Sequence, residues 1–478
     1  MDDRDKHVST LEGRGVSRRE FLKLAGIAGA TIGVGAGLSG ALSACGGTAE
    51  TTTTAAASTT TAAPTTTTAG PATTTGPAAG REIKIGFVSP LTGPLATFGT
   101  ADEYCVERWQ EVVSGGLVCG DGQNHPIKFI LKDSQSTSDR AAQVAGDLIN
   151  NDKIDIMMVC STPDTVVPVA DQCEANGIPC YSNDAPWQPF FFGRGGDPAV
   201  GFKWTYHHFW GLEDIVNVYT ALWKRVQTNK IVGVMWPNDA DGNAFADPKT
   251  GFPSVLPGLG YTVIDPGRYQ NGSEDFTAQI SQFKKAGCEI ITGVPIPPDF
   301  TNLWKQCLQQ GFKPKIATIA KAVDLPAGYV ALGSGANNFT LECQWTPRMQ
   351  FTSSLTGETC QQIADGFEKS KNEQWAQYLL HYAVFEVVAD ALKRCKDLES
   401  KEVIVDAISK TKLDTIAGPV DFTTEPKMGT QHPVKNVVRS PLVGGQWQKS
   451  SKWPRDLVVV DNTNAPEIVV DAEPLPIE

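Results

Sequence analysis

The chain has 478 residues, with 53 Asp and Glu against 41 Lys and Arg, a net charge of −12. That acidic balance speaks against nucleic acid or an anionic membrane surface as a partner. Its apolar content is ordinary for a folded, water-exposed chain, and its length exceeds the size at which one hydrophobic core stops growing, so two domains are expected.

The first element is not a fold. "SRREFLK" at 17–23 places Arg18 and Arg19 ahead of an uncharged run of small and weakly apolar residues from Leu24 to Ala44. A positive segment, an apolar segment and small residues before a cleavage point make an export signal. The paired arginines resemble a twin-arginine signal. Leu42, Ser43, Ala44 and Cys45 resemble a bacterial lipobox, which makes 1–44 the signal peptide and Cys45 the lipidated first residue of the mature chain. The alternative, a retained transmembrane helix, is disfavoured by glycine content and by the few Leu and Ile. No other stretch approaches eighteen consecutive apolar residues. From Cys45 to 80 the chain is almost wholly Thr, Ala, Pro and Gly, which cannot bury enough surface to offset chain entropy. It reads as a disordered tether, with threonines beside prolines that also suit O-glycosylation.

Beyond Arg81, strand and helix patterns alternate. "EIKIGFVSP" is a strand; "DEYCVERWQEVV" spaces Tyr104, Val106, Trp109, Val112 and Val113 as a helix; "KFILKDS" is the next strand. "DRAAQVAGDLIN" is a helix with Ala141, Val144, Ala145, Leu148 and Ile149 on one face, "KIDIMMVC" a strand, and "DTVVPVADQCEAN" a helix. The alternation returns with "DIVNVYTALWKRV", "KIVGVMWP", "DFTAQISQFKKAG", "CEIITGV", "FTNLWKQCLQQG" and "KIATIA". Strands joined through single helices require right-handed parallel crossovers, so the fold class is α/β with two helix-covered parallel sheets.

Ten cysteines remain after Cys45. An even number outside the reducing cytoplasm predicts disulfides. Cys173 with Cys180, Cys288 with Cys307 and Cys343 with Cys360 are spaced to close short loops. No C-x-x-C pair occurs and the histidines do not fall at ligand spacing, so neither a metal nor another cofactor is expected.

The segments "IKIGFVSPLTGPLATFG" at 83–99, "DSQST" at 133–137, "VCSTPDT" at 159–165, "GIPCYSNDAP" at 177–186 and "HYAVFEVVADAL" at 381–392 together resemble the extracellular solute-binding proteins of the branched-chain amino acid and amide transport group. The resemblance implies a type I periplasmic-binding fold, two Rossmann-like lobes joined by three crossings with a ligand cleft between them. Lobe 1 would comprise 81–206 and 345–436, and lobe 2 would comprise 207–344 and 437–458, followed by an acidic tail at 459–478. It also implies a small-molecule ligand (an amino acid, amide or organic acid), delivery to ABC permease and ATPase subunits, no catalysis, and a place on the outer face of the cytoplasmic membrane, held there only by the lipid.

Loops at the carboxyl ends of parallel strands line such a cleft. Ser161, Thr162 and Thr165 stand where a strand passes into a helix, and hydroxyls with unpaired N–H groups there suit an anion. Ser161 matches the family position for the ligand carboxylate. In the next loop Pro186 follows Ala185, where amino acid binders usually carry a hydroxyl, and Asp184 stands by to accept an ammonium or amide N–H, or to bond its own turn. Lys321 follows "KIATIA", where amino acid binders commonly have an acid. If it faces the cleft with Asp241 nearby, an acid-bearing ligand is favoured over leucine, isoleucine or valine. Phe98, Trp187 and Tyr206 are the aromatics expected to touch ligand, and Gln377 completes the candidates. His207 and His208 are adjacent and face apart, which speaks against a metal pair.

Other classes stay open. An exported hydrolase finds no G-x-S-x-G elbow. A sensor ectodomain uses the same bilobed fold but is expected to continue into a membrane span and an output domain. A wall-associated lipoprotein would use the same tether, and a conventional branched-chain amino acid binder would use the same cleft.

Overall fold

The structure, a computed structural model, describes residues 76–333, 337–424 and 434–477. The signal peptide, Cys45 and the tether up to residue 75 lie outside the described residues. Within them no helix is long and apolar enough to cross a membrane.

Two sheets organise the fold. The first runs, from edge to edge, Val437–Val438, Thr205–His208, Cys180–Asn183, Ile156–Val159, Ile83–Ser89 and Ile127–Asp133, all parallel. The second runs Asp456–Asp461, Val443–Gln448, Thr340–Cys343, Ile316–Ile319, Ile290–Gly293, Ile231–Met235 and Thr262–Ile264, with antiparallel pairing only at the end formed by the first three. Central strands such as Ile156–Val159 and Ile290–Gly293 are buried throughout, as expected where helices cover both faces. The helix of "DEYCVERWQEVV" forms at Asp102–Val112 and buries Tyr104, Cys105 and Trp109.

The chain passes between the sheets three times: after His208 into the helix Leu212–Lys224, after Cys343 toward the helix Cys360–Lys371, and from Val438 to Val443. Two lobes and three crossings follow. The lobe boundaries expected from sequence are corrected by two residues, since His207, His208, Val437 and Val438 belong to the first sheet. The stretch read as an acidic tail is not free: Asp456–Asp461 is a strand, the Val459 N–H donates to Asp471 Oδ2 at 2.9 Å, and Gln446 Nε2 donates to the Leu475 carbonyl at 2.7 Å. The tether reading is likewise corrected at its end. Asn124 N–H donates to the Ala78 carbonyl and Gly80 N–H to the Asn124 carbonyl, so these residues dock on the first lobe.

All ten cysteines from Cys105 to Cys395 are buried as free thiols, so none of the three pairs spaced to close short loops is bridged here. Cys173 and Cys180 stand side by side, one in the last turn of the helix Pro163–Asn176 and the other opening the adjoining strand.

Candidate functional site

Where the carboxyl ends of the two sheets meet, Phe98, Thr162, Pro163, Asp184 and Pro186 of the first lobe face Asp241, Phe245, Val294, Ala320, Lys321 and Asp324 of the second. Phe209, Trp210, Glu342, Gln344 and Tyr378 of the crossings and their flanks close the floor. They enclose about 30 Å³, room for about one water. The seam widens outward at Pro163 into a groove of about 590 Å³ between the helices Pro163–Asn176 and Trp187–Phe191 on one side and Ala240–Phe245 on the other. A small organic molecule needs a pocket of about 300 Å³ or more, so it reaches the inner site only when the lobes part.

Two residues of the inner site and one beside it have left-handed backbone: Asp184 at φ 66°, Lys321 at φ 61° and Ser161, next to Thr162, at φ 115°. In chain order they are Ser161, Asp184 and Lys321. Each is the second residue after the last residue of a strand or the first, at Val159, Asn183 and Ile319 respectively. A side chain there costs of order 1–3 kcal/mol when strained, and such positions gather at binding sites. Ser161 Oγ, Thr162 Oγ1 and Thr165 Oγ1 are all buried, and none has a hydrogen-bond partner among the described residues. Thr162 is the N-cap of Pro163–Asn176 without using its side chain as the cap. The competing reading from sequence, a hydroxyl that merely caps the helix, therefore does not hold for Thr162.

Asp184 does not bond its own turn. Its Oδ2 lies 3.1 Å from His381 Nε2, and His381 Nδ1 lies 2.6 Å from Asp102 Oδ1. Burial opposes charge on that ring, but the Asp102 and Asp184 carboxylates together outweigh it and hold the ring protonated up to about 10. Burial raises Asp184, with His381 pulling the other way.

Lys321 does reach the cleft, but not as a cation waiting for an anion. Its Nζ lies 2.5 Å from Asp241 Oδ2 and 3.6 Å from Asp239 Oδ2. The side chain is 7% exposed; burial works against its charge, and Asp239, Asp241 and Asp164 more than compensate, so its pKa is raised. Burial pushes Asp241 up to about 6 despite Lys321. The expectation that Lys321 selects an acid-bearing ligand is corrected accordingly: two carboxylates already occupy the ammonium.

Phe98, Thr162, Asp184, Asp241 and Lys321 thus come together, with Ser161 next to Thr162. Four other candidates sit elsewhere. Trp187 is buried with its indole N–H donated to Glu213. Tyr206 points to the outer side of its strand, against Phe422 with ring centroids 5.0 Å apart. Ala185 offers its carbonyl to His207 Nε2 at 2.8 Å. Gln377 is a brace: its Oε1 accepts from Gln344 N–H at 2.9 Å and its Nε2 donates toward the carbonyls of Asp324 and Glu342. His207 and His208 do face apart, one bonded to Ser182 and Ala185, the other to Tyr181; burial drives both down to about 3. Among the described residues no cluster of His, Cys, Asp and Glu could hold a metal.

Sequence reasoning missed Asp324, Tyr378, Glu342 and Gln344. The Tyr378 hydroxyl donates to Asp324 Oδ2 at 2.9 Å, and the Tyr378 ring packs on Phe98 with centroids 4.9 Å apart. The Tyr219 hydroxyl donates to Glu342 at 2.5 Å. Asp324 was within reach of the sequence, three residues beyond Lys321 in the same strand-end loop.

A family model described as "Periplasmic binding protein" matches residues 82–438. Among curated proteins, the chain is 26% identical over 217 residues to a Leu/Ile/Val-binding protein homolog 3 of Brucella melitensis biotype 1, a match covering 45% of this chain and 54% of that protein. The chain therefore spans about half the length of the curated relative it matches. Among solved structures it is similar to a leucine-binding protein, LivK, of Thermotoga maritima (TM-score 0.63, 17% identity, 80% of this chain and 99% of that one). It is similar also to a solute-binding protein of an ABC transporter from Rhodopseudomonas palustris BisB5, in complex with 3,4-dihydroxybenzoic acid (TM-score 0.61, 15% identity, 83% and 98%).

Proposed function

The chain belongs to the periplasmic binding protein family, and on that premise we propose that it is an exported solute-binding lipoprotein that captures a small polar molecule between its lobes and hands it to an ABC import permease with its ATPase. The observation that carries this reading is the buried, unpartnered hydroxyl of Thr162, with that of Ser161 beside it, at the mouth of a long helix, facing a second set of polar groups across the seam. Those hydroxyls and the helix N-terminus suit an acceptor on the ligand, a carboxylate or carbonyl. Phe98, Tyr378, Phe209, Trp210 and Phe245 give its body an aromatic wall. Contacts from both lobes exist only when the lobes are together, so ligand stabilises the closed form.

Thermal-shift screening of the purified chain against amino acids, amides, amines and aromatic or aliphatic acids tests the reading. A binder at a hundred times its dissociation constant stabilises by about 2.7 kcal/mol, and Thr162→Val should erase the shift. The idea fails if no compound acts at millimolar concentration, or if the shift survives in Thr162→Val.

Cys45 is the proposed anchor, with 1–44 removed on export. Metabolic lipid labelling should mark the wild type and not Cys45→Ser; label retained in the variant would place the anchor elsewhere. Outside the cytoplasm, Cys173 and Cys180 are the pair of thiols best placed to close a disulfide.

A further inference from the structure

Most of the stretch "PWQPFFFG" at 186–193 lies off the inner site, and its Trp187 and Gln188 fasten one lobe to the other. The helix Trp187–Phe191 belongs to the first lobe, where Phe190 stacks on His207 with ring centroids 4.1 Å apart. The helix Leu212–Lys224, just past the first crossing, belongs to the second, where Tyr219 and Trp223 bond to Glu342 and Thr318 of its sheet.

Between these helices the bonds run both ways. Trp187 Nε1 donates to Glu213 Oε1 at 3.1 Å, and Gln188 Nε2 donates to the other carboxylate oxygen. In return the Leu212 N–H, a first-turn donor with no partner inside its own helix, goes to Gln188 Oε1 at 2.9 Å. The Trp187 N–H reaches the Trp210 carbonyl at 3.1 Å. The approach is close enough to need a glycine: a Cβ on Gly211 would overlap the indole nitrogen of Trp187 and a carboxylate oxygen of Glu213. Arg439, in the third crossing, bonds Asp214 and lies 3.5 Å from Glu213, which ties that crossing to the first. Deeper in the seam, the Tyr378 hydroxyl of the first lobe donates to Asp324 of the second at 2.9 Å.

These bonds hold an arrangement that an organic ligand cannot share. The inner space of about 30 Å³ takes about one water, so the lobes are packed more tightly than a filled cleft allows. Rotation about the crossings carries Trp187 and Gln188 away from Glu213, and Tyr378 away from Asp324, so parting the lobes breaks both fastenings. We propose that Trp187, Gln188 and Glu213, with Tyr378 and Asp324, form a latch that keeps the ligand-free chain shut, and that ligand enters only the fraction of chains whose latch has released. Apparent affinity is reduced by that fraction, so the latch sets how much solute must be present before capture begins. It acts whatever the chemistry of the solute.

The gap between the lobes can be read without any ligand. Asp139 and Lys249 are exposed and neighbour Ser138 and Thr250, which line opposite sides of the outer groove. Spin labels on Asp139→Cys and Lys249→Cys are placed in the Cys45→Ser chain, whose ten remaining native cysteines are buried, and their separation is measured by pulsed electron paramagnetic resonance. The labelled parent should give one short distance. Glu213→Ala combined with Tyr378→Phe removes both fastenings, and Gln188→Ala loosens the outer one with a smaller change; each lost bond to a charged group should raise the parted population roughly tenfold or more. A second, longer distance in either variant over a short one in the parent supports the latch. A long distance already dominant in the parent, or a distribution unchanged in both variants, would overturn it.

Discussion

His381→Gln is expected to lower the unfolding free energy at pH 7 by about 3–5 kcal/mol, the cost of breaking a buried ion pair from one side. His381 is fully buried, with one nitrogen 2.6 Å from Asp102 and the other 3.1 Å from Asp184. A neutral amide leaves those two carboxylates facing each other without a positive charge between them. Linkage gives the sign with pH. The ring's ordinary pKa is 6.5 and the fold raises it to about 10, so its stabilisation is complete below 6.5 and drains away as pH rises through 10. Denaturant melts at pH 7 and pH 10 should therefore show a gap between wild type and His381→Gln that narrows at the higher pH. A gap under 1 kcal/mol at pH 7, or one that widens toward pH 10, would mean that the ring is not held as an imidazolium.

Lys321→Met should be comparably costly in the absence of any ligand, again about 3–5 kcal/mol. The ammonium sits between Asp239 and Asp241, all three side chains at most 7% exposed, and its removal strands two buried carboxylates. Asp241→Asn alone costs less, because burial already disfavours that charge. In the double variant the losses should not add, and a coupling of roughly 0.5–3 kcal/mol is expected for groups in one network. If Lys321 were instead a free cation kept for an anionic ligand, Lys321→Met would leave the ligand-free protein nearly as stable as wild type and would weaken binding alone. Urea denaturation of the single and double variants distinguishes these outcomes.

The contrast shows which parts of the site were legible in the sequence. Thr162 was, because a hydroxyl between an apolar strand pattern and a helix pattern falls at the strand-end crevice. Lys321 was placed correctly by the same logic, yet its partners were not. Asp239 and Asp241 come from the loop of a different strand some eighty positions earlier, and only the parallel sheet brings the two loops to the same edge, across the strand Ile290–Gly293. Trp187 and Tyr206 were misassigned for a local reason. Tyr206 alternates to the outer face of Thr205–His208, a strand hidden in an aromatic-rich stretch that reads as a crossing. Trp187 turns inward, where its indole N–H meets Glu213. Asp324 shares its strand-end loop with Lys321 and could have been placed at the cleft with it, but "AVDLP" has no periodicity to aim the side chain, and the bond from Tyr378 shows where it points. At the level of the fold, the alternating patterns anticipated the strands Ile83–Ser89, Ile127–Asp133, Ile156–Val159, Ile231–Met235, Ile290–Gly293 and Ile316–Ile319 and the long helices between them, while the short strands Cys180–Asn183, Thr205–His208 and Thr262–Ile264, and the later Val443–Gln448 and Asp456–Asp461, were missed.

Capture in the interlobe cleft is tested most directly by titrating the compound that the thermal screen selects into wild-type protein and Thr162→Val in a calorimeter. One molecule should bind each wild-type chain, and loss of the single hydroxyl, a hydrogen bond to a charged or strongly polar group, should weaken it roughly tenfold or more. Equal affinity in the two proteins, or no heat of binding in either, would contradict a ligand held at Thr162 between the lobes.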